Sequence, residues 1–527
     1  MAGNPSTTRP FARRMLPRLA TLAVAGAMLA AAPITAQAGP PTAGGSGLGD
    51  DYFPNYGNSG YDVDRYAINV DYQPQGDLLN GTTTITAKAT QDLRRFNLDF
   101  ALRVRSVTVN DKPATFNQND PHELVVTPKK PLRNGEQMTV KVEYFGVPSA
   151  VKVDGITPWI KTADGAIALG QPEIAAWWFP SNDHPQDKAK FDITMKVPSG
   201  VEAISGGKLV SKTLTPNGDT WRWREDKPMA TYLAFMAIGQ YEVSESTSSK
   251  GLPIINAVAV SDDVRIQRAK ADFARTEEVV DFLARQYGPY PFDALGNVAP
   301  NADFGYALET QTRPVYTRGF WRNGSNMGVV AHEFAHQWWG DSVSLTQWND
   351  IYVNEAFASH AEWLWSENQG QGTAQQLMRQ TYDSYPEGDK FWQVSIGDPG
   401  RDNVFDGAVY DRGAMSLQAL RNRIGSPAFW QVLRTWQAER TYKNGSTEEF
   451  QALAERLSGE DLDGFFKAWL YDQRKPAATA ENGLDFGTEN ALRQTDAEGK
   501  VAQQAAPEQV TATRAELAKT RQQLHGR

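Results

Sequence analysis

A β-rich first half followed by a second half dominated by helical patterns is what this sequence predicts, and three observations predict it. From Tyr66 to about Val260 the segments RYAINVDY, GTTTITAKAT and QMTVKVEYF alternate apolar and polar residues, with Gly, Asn, Asp and Pro between them. That is the period-two signature of half-buried strands. From Ser261 the spacing changes, and SDDVRIQRAKADFARTEEVVDFLARQYG carries apolar residues at helical intervals up to Gly288-Pro289, with Ser261 as the candidate N-cap. Cap signals then recur: Ser426 before Pro427, and Ser446 with Glu449 as a capping box.

The order along the chain begins with residues 1–38. Arg9, Arg13, Arg14 and Arg18 precede the apolar run LATLAVAGAMLAAA, and Ala36-Gln37-Ala38 supplies small residues for cleavage, so this segment reads as a signal peptide and the protein as secreted. The run is shorter than the roughly 20 residues of a spanning helix, so no stable membrane anchor is expected. The Arg13-Arg14 pair leaves the choice between general and twin-arginine export open. Residues 39–60, GPPTAGGSGLGDDYFPNYGNSG, are expected to be a flexible linker. The β-rich domain then takes 61–260 and the second domain 261–476. Residues 477–527, rich in Ala, Gln, Glu and Thr with Phe486 the one Phe, Tyr or Trp, are expected to be a polar, disordered tail.

Composition excludes several classes. The formal net charge is −9, and the leader holds four arginines and no acid, so −9 − 4 = −13 remains without it. Such a surface repels phosphate backbones and argues against nucleic-acid partners. With no cysteine in the chain, disulfides and thiolate-bound metal are absent, and any metal chemistry falls to His, Asp and Glu.

AHEFAHQWWG, residues 331–340, places two of the six histidines four apart with a glutamate beside the first. On a helix His332 and His336 share a face and can offer two imidazole nitrogens to one ion, while Glu333 reaches a water on it. A catalytic zinc needs a third protein ligand and one open position. The metzincin extension fails, because Trp339 stands at its glycine and Ser342 at its histidine. Glu355, 19 residues after His336 in WNDIYVNEAFASHAEW, completes a His, His, Glu set if a second helix returns it.

H-E-x-x-H followed by that glutamate inside N-E-A-F-A resembles the M1 gluzincin aminopeptidases, the family of alanyl aminopeptidase and leukotriene hydrolase. HEFAHQWWGD, WNDIYVNEAFAS, GQPEIAAWWFPSNDHP and AVYDRGA are each similar to a segment of that family, and the likeness runs from about Tyr61 to Pro476. The resemblance implies a sandwich-like N-terminal domain and a thermolysin-like α+β catalytic domain ending in helices, with the site in the cleft between them. It implies one zinc per chain on His332, His336 and Glu355, with Glu333 as general base and Tyr410 as donor to the oxyanion. Glu309 in GYALET and Glu173 in QPEI would bind the free N-terminus of a peptide substrate, with Gln171 beside them. Ala307 and Leu308 would hold the substrate main chain.

Two departures qualify the likeness. Tyr306, Leu308 and Thr310 replace the glycine, methionine and asparagine of the family's G-A-M-E-N strand, so Tyr306 is expected to narrow the pocket for the first side chain. Larger members continue into a big helical domain, so a more open site is expected here. His360 is off the ligand face and reads as structural or exposed, and His184 as a support for the QPEI loop. An endopeptidase, a hydrolase of another small substrate, and a non-catalytic binding protein are the competing readings; intact ligands, base and tyrosine count against the last.

Overall fold

A computed structural model of the chain describes residues 40–153, 155–485, 487 and 494–524. The expected signal peptide lies outside the described residues. The first half is organised by an eight-stranded sheet in the order Lys208–Thr213, Asp219–Met229, Ala189–Val197, Tyr61–Gln73, Leu78–Ala89, Gln137–Gly146, Arg103–Val109, Lys112–Pro113. Tyr61–Gln73 alternates buried and exposed residues almost without interruption, because successive side chains point to opposite faces and one face meets the core. Its neighbours are Leu78–Ala89, antiparallel, and Ala189–Val197, parallel. Tyr66, Ile68, Ile85, Val140 and Phe191 fill that core. Two four-stranded sheets complete the half, one built on Leu93–Asp99 and one on Met236–Gly239.

The second half carries a five-stranded mixed sheet: Tyr241–Thr247, Pro253–Ala259, Leu295–Ala299, Val315–Tyr316 and, at the edge, Ala307–Leu308. Its first two strands fall inside the segment expected to belong to the N-terminal domain. Alternation identifies a strand but carries no information on which sheet it joins. Helices α1 (Val264–Phe273), α2 (Thr276–Tyr287), α3 (Met327–Ala335), α4 (Tyr352–Asn368), α5 (Ala374–Ser384), α6 (Gly407–Ile424), α7 (Ser426–Arg440), α8 (Thr447–Ser458) and α9 (Asp463–Phe466) follow. The stretch from Ser261 is thus two helices, and the cap of the first is Asp263, which accepts from the Arg265 N–H. α8 opens with the expected Ser446/Glu449 capping box. α7 starts one residue earlier than expected, with Gly425 as its cap and Ser426 inside it.

Two segments expected to be loose are packed. In the 39–60 stretch, Thr42–Ala43 pairs in parallel with Leu93–Asp99, and Asp50 accepts from the Trp348 N–H at 2.7 Å and the His184 imidazole at 3.1 Å. At the other end, Pro507–Leu524 forms helix α10, with Val510 and Arg521 buried. Polar composition lowers the drive to collapse, but it does not report hydrogen bonds made to distant parts of the fold. No helix among the described residues is long and apolar enough to cross a membrane.

Candidate active site

The metal-binding pattern of the sequence lies on α3 and α4, which pack together. Asn326 caps α3 by accepting from the Val329 N–H, and His336 is the C-cap of the same helix. Residues four apart share a face, and the Nε2 atoms of His332 and His336 stand 3.2 Å apart. The chain turns at Gly340, whose φ of 122° and close approach to Asn354 suit glycine. It returns as α4, whose first turn holds Glu355. Glu355 Oε2 lies 3.4 Å from each Nε2.

These three atoms fit zinc. Bonds of about 2.0–2.2 Å in a tetrahedron hold ligand atoms about 3.3–3.5 Å apart, close to the spacing found. Glu355 Oε2 is buried without a hydrogen-bond partner, as an oxygen reserved for a cation would be. Two outer bonds set the tautomers: His332 Nδ1 donates to Glu362 Oε1 at 2.6 Å, and His336 Nδ1 to the Trp339 carbonyl at 2.9 Å. Each leaves the Nε2 lone pair for the metal. Sequence reading missed Glu362, although seven residues after Glu355 is two turns along one helix face.

Glu333 is next to the ligands, with both carboxylate oxygens buried and unpartnered. Burial pushes its carboxyl up to about 7, against the pull of the two imidazoles. Tyr410 sits in the first turn of α6, which Asp406 caps by accepting from the Ala408 N–H. Its ring stacks on His332 with centroids 6.1 Å apart. Gly413, one turn further on, explains the proximity: a Cβ there would fall 2.6 Å from Ala356 Cβ. Only glycine lets α6 lie this close to α4 and carry Tyr410 over the site.

The edge strand Ala307–Leu308 runs into Glu309. Oxygens of Glu309 and Glu333 and a ring nitrogen of His336 lie within 4.8 Å of one another. Gln171 Nε2 and the Tyr232 hydroxyl both donate to Glu309 Oε1, at 3.1 and 3.0 Å. Gln337, directly after His336, donates to the Glu309 carbonyl at 2.9 Å and so ties the strand to the end of α3. Gln171 is therefore at Glu309, whereas Glu173 accepts from the Tyr56 hydroxyl and from His122 Nε2, each at 2.7 Å. Burial opposes charge on His122, yet Glu173 and Asp99 raise it to about 10. The sequence offered no signal for Tyr56, His122 or Tyr232, which lie 50 or more positions from their partners.

Tyr306 donates its hydroxyl to the Leu169 carbonyl at 3.0 Å and packs edge-on against Phe304, so it bridges the start of the edge strand to the segment before Gln171. His360 is buried, pairs with Gln418 at 3.2 Å, and is pushed down to about 3 by burial, which makes it a structural residue. His184 holds Asp50 of the N-terminal segment.

Comparison with known proteins gives the same picture. The Peptidase M1 N-terminal domain matches residues 62–233 and the Peptidase family M1 domain residues 317–469. Aminopeptidase M1-D of Oryza sativa subsp. japonica is 29% identical over 342 residues, 60% of this chain and 38% of that protein. Aminopeptidase N of Lactococcus lactis subsp. lactis is 25% identical over 456 residues, 79% of this chain and 52% of its own length. The chain thus spans about half or less of the curated relatives it matches. The M1 zinc metallopeptidase of Deinococcus radiodurans superimposes with a TM-score of 0.72 at 26% identity, covering 82% of this chain and 99% of that one. A form of it has been solved with a Tyr-Ser-Ala substrate. With both halves matched in order and the two-domain architecture shared throughout, the chain belongs to the M1 peptidase family.

Proposed function

We propose that the protein is a zinc aminopeptidase that removes N-terminal residues from peptides. The observation that carries this reading is the place of Glu309, a carboxylate within 4.8 Å of the reacting cluster at Glu333 and His336. An α-ammonium held there presents the first peptide bond to the metal and excludes internal ones. Zinc, when bound, supplies Lewis acidity and brings the pKa of a water to about 7. Glu333 takes the proton of the attacking water and hands it to the leaving amine. The Tyr410 hydroxyl donates to the developing oxyanion, and the substrate main chain lies along Ala307–Leu308 as an added strand. Gln171 and Tyr232 hold Glu309 in place, and Tyr306 limits the room for the first side chain.

The arginines and apolar run of residues 1–38 support export, so the enzyme would act outside the cytoplasm. The test is a panel of aminoacyl-coumarins with free and acetylated N-termini, assayed on protein from residue 39 onward with chelation and zinc add-back. Zinc-restored activity on free amines alone is expected. Equal activity on both forms would remove Glu309 from amine binding and point to an endopeptidase, and zinc-loaded protein with no activity would point to a binding role.

A further inference from the structure

Helix α10 delivers one side chain to the metal centre from the far end of the chain. Arg521, with a side chain 5% exposed, donates from Nη2 to Glu362 Oε1 at 3.0 Å. That is the oxygen which also accepts from His332 Nδ1. Its Nε donates to Asp411 Oδ1 at 3.1 Å, and its guanidinium carbon stands 4.9 Å from the centre of the Tyr410 ring. One planar fork therefore joins the carboxylate behind a ligand histidine on α4 to the neighbour of Tyr410 on α6.

We infer that Arg521 is a positioning residue for the metal centre, holding Glu362 on His332 and backing the Tyr410 ring, so that α10 is part of the active site. The inference rests on the zinc reading of His332, His336 and Glu355. Glu362 is fully buried, and a buried carboxylate needs a paired cation. Among the described residues no Lys or Arg other than Arg521 forms an ion pair with Glu362 or Asp411. Arginine suits the task because its donors reach two carboxylates at once in a fixed plane, which an ammonium cannot do.

Apolar packing of α10 rests on Val510 and the partly buried Leu517. Val510 is its buried aliphatic residue, and a cavity of 360 Å³ lined by Leu517, Thr520, Gly328, Glu362 and Trp365 lies beneath it. Polar anchors do the positioning: Thr520 accepts from Asn326, the cap of α3, at 3.0 Å, and Thr513 donates to the Gln371 carbonyl at 2.7 Å.

The experiment uses the full chain. Metal-free wild type, Arg521→Ala, Arg521→Lys and Lys519→Ala are titrated with zinc against a chromophoric chelator, and kcat and KM are measured at saturating zinc on one free-amine substrate. Loss of an outer partner of a ligand weakens metal binding by about 10- to 100-fold; this is expected for Arg521→Ala, with kcat falling more than KM rises. Arg521→Lys should fall between it and wild type. Lys519→Ala, which removes an exposed cation from the same helix, should bind zinc as wild type does. Wild-type zinc affinity and kcat in Arg521→Ala, or in Arg521→Lys if the alanine variant does not fold, would overturn the inference, as would an equal loss in Lys519→Ala. Failure of the wild type itself to bind zinc would instead sink the metal reading beneath it.

Discussion

Glu333→Gln keeps the shape of the buried side chain and removes its capacity to take a proton. Metal analysis should find zinc retained, and kcat should fall by about 100- to 10,000-fold, the usual worth of a positioned base; near-native turnover would exclude the role. Tyr410→Phe removes the donor proposed for the oxyanion, and the expected cost is about 100- to 1000-fold in kcat with KM little changed. Glu309→Ala deletes the carboxylate proposed to meet the α-ammonium. KM for free amines should rise by about 10- to 100-fold, the worth of a hydrogen bond to a charge, and a uniform loss on every substrate would argue for a structural role. Glu333 was legible because His332 and His336 flank it at the spacing of one helix turn, whereas Glu309 and Tyr410 were named through the resemblance of GYALET and AVYDRGA to family segments. Glu173 shows the limit: its motif identified it, but its partners Tyr56 and His122 are 117 and 51 positions away, and nothing local announces them.

Single elements carry the site, so their ends matter. Asp406 caps α6 one residue before the helix begins, and Tyr410 lies in that first turn. Asp406→Ala should cost about 1 kcal/mol of stability, read from a urea melt, and should lower kcat because the turn that aims the tyrosine frays. A kcat equal to wild type would show that the contact at Gly413 alone aims Tyr410. Caps were well read where the signal was local, as at Ser446 and Glu449. They were displaced by a residue or two where several candidates stood together, as at Ser261 and Asp263. The strands Tyr241–Thr247 and Pro253–Ala259 fall in the segment read as β-rich, and they join the sheet of Leu295–Ala299, since pairing partners are chosen by packing.

Across the whole molecule the buried carboxyls give folding a pH dependence. Asp187 accepts from the Val63 N–H at 3.1 Å and ties the first long strand to the loop after Trp178; burial pushes its carboxyl up to about 8. An unfolded Asp titrates near 3.9, about four pH units lower. The folded state therefore holds a proton that the unfolded chain has released, and this group's contribution to stability is present below about pH 4 and lost as pH rises through about 8. Urea midpoints of wild type should fall across that window more than those of Asp187→Asn; identical slopes would show that the carboxyl is ionised throughout. Read by itself, the sequence determined the strand-rich first half and the helices of the second, and it named His332, His336, Glu355, Glu333 and Tyr410 as candidates for the site. The elements follow from periodicities of two to four residues and the histidine pair from motif spacing, which are local properties of the chain, whereas Tyr410 was named through the family resemblance of AVYDRGA. Only the tertiary structure decided that residues 41–60 pack through Asp50, that Gln171 stands at Glu309, and that a polar tail returns as α10 to set Arg521 behind His332. Those contacts join residues more than a hundred positions apart, and they depend on geometry that composition and pattern do not encode.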